Sequence, residues 1–232
     1  MITRSRELIA APEDCSRLVL NEEVHGYYQA LLGRLRWPAV GVEPALKTLG
    51  VTSCYGGEGV STAAAHLAIA AALSGGERRV LLVDANGARP NVHRMFGQEP
   101  GPGWTDLLWE SAELSLALQT SGAARLSLLA AGSVRRAHHA GDVAERLEAL
   151  LAELQAEFDL IVFDMPAVHD AGANDRLAGL LDGVLFVIEA ERVRWQVAER
   201  TTEQLRRANV RLLGAVLNKR RRHVPEWLYR TL

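Results

Sequence analysis

The sequence predicts an α/β fold: a doubly wound, mostly parallel sheet flanked by helices. Six runs rich in aliphatic and β-branched residues recur along the 232 residues: "ALKTLGVTS", "RRVLLVDA", "ARLSLLAA", "FDLIVFDM", "GVLFVIEA" and "VRLLGAVLN". Stretches with helical spacing separate most of them, notably "STAAAHLAIAAALSG", "AGDVAERLEALLAELQAE" and "VRWQVAERTTEQLRRAN". The strand runs are almost continuously apolar, as parallel strands covered on both faces must be.

Taken in order, "NEEVHGYYQALLGRLRW" reads as an amphipathic helix with Tyr28, Leu31, Leu32 and Leu35 on related faces, packed on the outside of the domain. Tyr27, Tyr28 and Trp37 are expected to pack it. Residues 1–20 read as a mobile N-terminal segment and residues 21–232 as one domain, since no glycine- or proline-rich linker divides the chain. The stretch from Gly97 to Trp104, "GQEPGPGW", reads as a loop. In such sheets ligands bind beyond the carboxyl ends of the strands, so the residues leaving each strand matter most.

Composition narrows the function classes. A formal charge of −2 gives no global attraction to nucleic acid or membrane. Charged residues and glycines break every apolar stretch before the roughly 20 residues that a membrane span requires. The start of the chain lacks the apolar core and cleavage site of a secretory signal. Cys15 and Cys54 are isolated, which fits a reducing cytoplasm. The seven histidines show no ligand spacing, and the adjacent His138 and His139 read as a solvated loop.

The segment Cys54 to Thr62, "CYGGEGVST", falls between the first strand run and the first long helical run. A phosphate loop needs glycines so that successive N–H groups turn inward, a lysine for the outer phosphates, and Ser or Thr for Mg²⁺. Gly56, Gly57 and Gly59, around Glu58, supply the backbone, and Ser61 and Thr62 open the helix. Val60 stands at the lysine position and offers neither charge nor donor. Two strand runs end in acids, Asp84 in "LLVDANGARP" and Asp164 in "LIVFDMP". Either alone reads equally as a strand-ending turn residue; with Ser61 they form a set able to hold Mg²⁺.

These motifs, with "GWTDLL", "DGVLFVIE" and "GAVLNKRRR", fall in the order and spacing of the bacterial tyrosine kinase (BY-kinase) family of polysaccharide synthesis and export, which the chain resembles from about residue 21 onward. The resemblance implies a P-loop NTPase-like domain of the MinD/ParA-like superfamily that takes ATP or ADP with Mg²⁺. Gly56 to Thr62 and Asn218 would contact nucleotide; Ser61, Asp84 and Asp164 would hold the metal; Asp84 and Asn86 stand at the catalytic acidic motif. It further implies an inner-membrane polysaccharide co-polymerase as partner, a cytoplasmic location at the inner face of the membrane, no nucleic-acid partner and no span of its own.

Several positions depart from the family pattern. Val60 replaces the lysine, Asn86 the second acid of Asp-x-Asp, and Gly56 a proline. Gly26, Gln29 and Leu32 occupy the places of a ring-forming Glu-x-x-Arg-x-x-Arg, so self-association of the family kind is not expected, and Tyr229 is the one tyrosine where the family clusters several. The expectation is therefore a catalytically impaired, pseudokinase-like member. The chain holds only two lysines, Lys47 and Lys219, and Arg89 is a candidate substitute cation.

Two rival readings stay open. An active ATP-dependent tyrosine kinase or ATPase is kept by Ser61, Asp84 and Asp164. A MinD- or ParA-like positioning ATPase would carry an extra lysine near Cys54 or Tyr55, where none stands. The basic run Lys219 to His223, ahead of Trp227, Leu228 and Tyr229, reads as a solvated surface or a docking site.

Overall fold

The computed structural model describes residues 22–35, 37, 46–109, 112–133, 143–170 and 175–220. The expectations for residues 1–20, for His138 and His139, and for the basic and aromatic tail beyond Arg220 lie outside the described residues. The chain runs α1 (Glu22–Arg34), β1 (Thr48–Ser53), α2 (Val60–Leu73), β2 (Val80–Asp84), α3 (Val92–Met95), α4 (Trp104–Trp109), α5 (Leu114–Ala117) and β3 (Leu118–Thr120). It continues through β4 (Leu126–Leu129), α6 (Val143–Glu157), β5 (Leu160–Asp164), a 3-10 turn (Val168–Asp170), α7 (Asp175–Leu180), β6 (Gly183–Glu189), α8 (Trp195–Arg207) and β7 (Leu212–Asn218).

All six expected strands form. They belong to a seven-stranded sheet of order β3-β4-β2-β5-β1-β6-β7, parallel except for β3, which runs antiparallel to β4 at the edge. The sequence reading missed β3 because three residues, "LQT", carry no periodicity; pairing with β4 makes them a strand. Trp104 corrects the loop expected from Gly97 onward, since it begins α4. The loop before it is tight: a side chain at Gly103 would collide with the Ala130 carbonyl.

Alternate residues of the central strands feed two cores. Leu49, Val80, Leu82, Leu160 and Val162 meet α2, while Leu81, Val83, Ile161 and Phe163 meet α4, α6 and α7. Helix α2 is apolar almost all round, so one covered face would not suffice. Helix α1 closes the other side, burying Leu32, packing Leu31 and Leu35, and stacking Tyr28 on His66 with ring centroids 5.1 Å apart. Trp37 is buried, but Tyr27 is 52% exposed and meets Tyr28 only edge-on, which corrects its expected packing role.

The topology positions the site. From β1 the chain builds outward through β2 and β4, then returns to place β5 and β6 on either side of β1. The loop after β1 therefore opens at the point where the winding reverses, where a crevice forms. Within β1, Gly50 leaves no room: a Cβ would come 2.7 Å from the Met165 sulfur and 2.8 Å from Leu181 Cδ1. Gly50→Val is expected to lower unfolding free energy by about 1–3 kcal/mol through overpacking, read from the urea midpoint; an unchanged midpoint would show that the centre of the sheet yields.

Candidate functional site

The loop between Ser53 and Val60 is held from outside. Gly57 and Gly59 adopt φ of 87° and 97°, conformations open to glycine, and Gly59 O accepts the Ala63 N–H at 2.9 Å to start α2. Glu58 is fully buried. Its Oε1 accepts the Tyr55 N–H at 2.6 Å and its Oε2 the Glu189 N–H at 3.0 Å, so one carboxylate ties the loop to the end of β6.

Three successive carbonyls then meet side-chain donors. Arg192 Nη2 donates to Gly56 O at 3.3 Å, Lys219 Nζ to Gly57 O at 2.7 Å, and Asn218 Nδ2 to Glu58 O at 2.8 Å. Glu189 Oε2 gathers both cations, at 2.8 Å from Arg192 and 3.2 Å from Lys219. In a trans peptide the N–H points opposite the carbonyl. Outward carbonyls at 56, 57 and 58 therefore turn the amides of Gly57, Glu58 and Gly59 away from these donors, the arrangement an anion cradle requires.

A cleft of about 830 Å³ opens on this loop, lined by Gly56, Gly57, Gly59, Val60, Ser61, Thr62, Asn86, Arg89, Arg94, Asp170 and Lys219 among others. It collects most of the expected site residues. The Glu58 side chain, Asp84, Asp164 and Asn218 do not line it. Glu58 braces the loop, and the Asn218 amide is engaged at both ends, its Oδ1 accepting the Lys219 N–H at 2.9 Å. Val60 packs into the α2 core, 9% exposed. At the place of the ParA-type lysine, Cys54 is buried and Tyr55 stacks on His169, centroids 5.1 Å apart.

Beneath the cleft the two acids lie side by side, since Asp84 and Asp164 are register partners across β2 and β5. Both are fully buried, yet their surroundings differ. Asp84 accepts three amides: Asn86 at 3.1 Å on Oδ1, and Asn91 at 2.8 Å and Val92 at 3.0 Å on Oδ2. Burial raises its pKa, and these amides oppose the rise. Neither oxygen of Asp164 has a hydrogen-bond partner. Burial, and then the Asp84 charge, push Asp164 up to about 8; the Ser61 hydroxyl opposes part of this without reaching either oxygen in ordinary hydrogen-bond geometry.

An orphaned buried carboxylate beside a helix-opening serine fits a divalent cation. Mg²⁺ is held by one or two protein oxygens, with phosphates and water completing its shell. Asp164 and Ser61 would hold it, and the ion would neutralise phosphate charge and favour the ionised acid. Asp84, engaged with three amides, is the weaker ligand. Among the described residues no group of three or more His, Cys, Asp or Glu side chains could hold a metal by itself.

The fold and this loop define a P-loop NTPase-type domain. The chain belongs to the family described as cellulose biosynthesis protein BcsQ, whose model matches residues 46–211. It is 30% identical over 177 residues to the tyrosine-protein kinase YwqD of Bacillus subtilis, covering 76% of this chain and 74% of that protein. It is 27% identical over 176 residues to the succinoglycan biosynthesis transport protein ExoP of Rhizobium meliloti, covering 75% of this chain and 22% of that longer protein. The VpsO kinase domain superposes with a TM-score of 0.70 at 26% identity, over 85% of this chain and 96% of that domain. The expected kinship with bacterial tyrosine kinases thus stands.

The sequence reading passed over Glu189 and Arg192, although their place at the end of "GVLFVIEAER" marks them as residues leaving a strand. Two predictions follow from the buried acids. Glu58→Ala strands the Tyr55 and Glu189 amides and is expected to cost about 2–4 kcal/mol and to speed hydrogen exchange in the loop. For Asp164, the folded chain keeps a proton that the unfolded chain loses near the ordinary carboxylate value of 3.8 and releases it only at about 8. Stability should therefore fall as pH rises between those values, by up to about 1.4 kcal/mol per pH unit, and level off above. Asp84 adds in the same sense, and Asp164→Asn should flatten the fall; identical slopes in the two chains would contradict the assignment.

Proposed function

We propose that the chain is a cytoplasmic, nucleotide-binding, BY-kinase-like regulator of exopolysaccharide or capsule assembly and export, acting with a membrane polysaccharide co-polymerase and impaired in phosphoryl transfer. The observation that carries it is a glycine loop held from outside at Glu58 and at three carbonyls, above an unpartnered acid, with Val60 where the family pattern has a lysine. The names of the family and of ExoP support the polysaccharide link. No helix among the described residues is long and apolar enough to cross a membrane; on this reading the partner recruits the chain to its inner face.

The geometry separates binding from chemistry. Backbone amides and Ser61 remain available to phosphate and metal. The missing lysine removes a charged hydrogen bond of roughly 1.5–3 kcal/mol, about tenfold to a hundredfold in affinity. Transfer loses more, because Val60 cannot stabilise charge developing in the transition state and Asn86 cannot accept a proton as a carboxylate does.

Titration with a fluorescent ATP analogue is expected to show Mg²⁺-dependent binding that Asp164→Ala abolishes and Val60→Lys tightens about tenfold or more. Pull-down from the host should recover a polysaccharide-assembly membrane protein. Radiolabel transfer from ATP to the native chain or its partner, at rates that Val60→Lys does not raise, would overturn the impaired reading in favour of an active kinase.

A further inference from the structure

Two of the cations around the loop are already committed. Lys219 and Arg192 each bind a loop carbonyl and Glu189. Arg89 is different. It follows β2 in a turn closed by its own N–H on Asn86 O at 3.0 Å, and its guanidinium crosses the cleft to lie against Gly56. Among the described residues its ionic contact is with Asp170 at 3.9 Å, with the two side chains 69% and 43% exposed, so this pair holds it weakly.

Gly56 explains how it gets in. Unlike Gly57 and Gly59, Gly56 is not in the left-handed region, so its backbone does not demand glycine. A side chain at Gly56 would collide with the Arg89 guanidinium, so what glycine provides is room for that group at the mouth of the loop. Arg94 lines the same cleft, but the guanidinium nearest to Gly56 is that of Arg89. A guanidinium offers a planar fork of donors suited to phosphate oxygens. The unpartnered Asp164 beside Ser61 independently marks a ligand that brings a cation.

We propose that Arg89 is the phosphate-binding cation of this chain, leaving Asp170 to take the outermost phosphate of a nucleoside triphosphate and so replacing, from the opposite wall of the cleft, the charge that Val60 lacks. The assignment rests on the nucleotide-binding reading above. It makes the site selective for triphosphate over diphosphate through a residue outside the loop.

The test is calorimetric titration of the full chain with MgATP and with MgADP, for the native protein and for Arg89→Ala, Arg89→Lys and Arg94→Ala, with thermal unfolding confirming that each variant folds. Arg89→Ala is expected to weaken MgATP about tenfold to a hundredfold and MgADP far less. Arg89→Lys should recover part of the loss, and Arg94→Ala should change little. Native binding of both nucleotides that survives Arg89→Ala overturns the Arg89 assignment alone. So does an equal loss from Arg94→Ala, which would mean diffuse charge, or an equal loss for both nucleotides. A native chain that binds neither nucleotide overturns the nucleotide reading and this assignment together.

Discussion

One buried carboxylate sets the shape of the site. Glu58 cannot be solvated where it lies, so its two oxygens must find donors, and the amides of Tyr55 and Glu189 are what the fold supplies. Accepting from Tyr55 curls the loop back on itself; accepting from Glu189 fastens it to β6. With that fastening in place, the side chains leaving β6 and β7 meet the loop carbonyls at 56, 57 and 58, and the peptide planes take the orientation that turns amides the other way. The shape of the loop thus follows from satisfying one acid.

Below the loop the same rule is broken on purpose or by necessity: Asp84 is satisfied and Asp164 is not. Two carboxylates in register at the ends of adjacent strands repel when both are charged, and burial sharpens the repulsion. Three amides go to Asp84 and none to Asp164, whose pKa burial and the Asp84 charge push up to about 8. A divalent cation would relieve the repulsion by replacing the proton. On the proposed reading, a cation bound at the unpartnered Asp164 would couple occupation of the cleft to the stability of the central strands.

Legibility in the sequence followed the range of the forces involved. The six long strands, α1, α2, α6 and α8 were readable because their apolar runs and periodicities are local. Strand β3 and the short helices α3 and α5 were not, because each is too short to show a period and lies outside the apolar runs that marked the other strands; pairing or capping decides them. The site divides the same way. The glycines, Ser61 and the strand-ending acids were visible as a motif. The roles of Lys219, Arg192 and Asn218 were not, since they reach the loop across sequence separations of 162, 136 and 160 residues. Glu58 was legible as part of the motif, while the bracing role of its carboxylate, which reaches Glu189 across 131 residues, was not.

The absence of the lysine bears on these layers unequally. A preorganised loop binds phosphate without spending conformational freedom at the moment of binding, so much of its affinity survives loss of one contact. Acceleration of transfer depends only on interactions stronger in the transition state than in the ground state. Backbone amides fixed from outside serve both states alike, whereas a mobile cation and an accepting carboxylate favour the transition state. On the proposed reading Val60 and Asn86 remove the lysine and the carboxylate of the second kind and leave the first, while Arg89 returns charge to the outermost phosphate without returning the proton acceptor. On the proposed reading, the chain keeps what is needed to register a nucleotide and to transmit its presence through Asp164 and Glu58 into the sheet, which is the physical requirement of a regulator rather than of a catalyst.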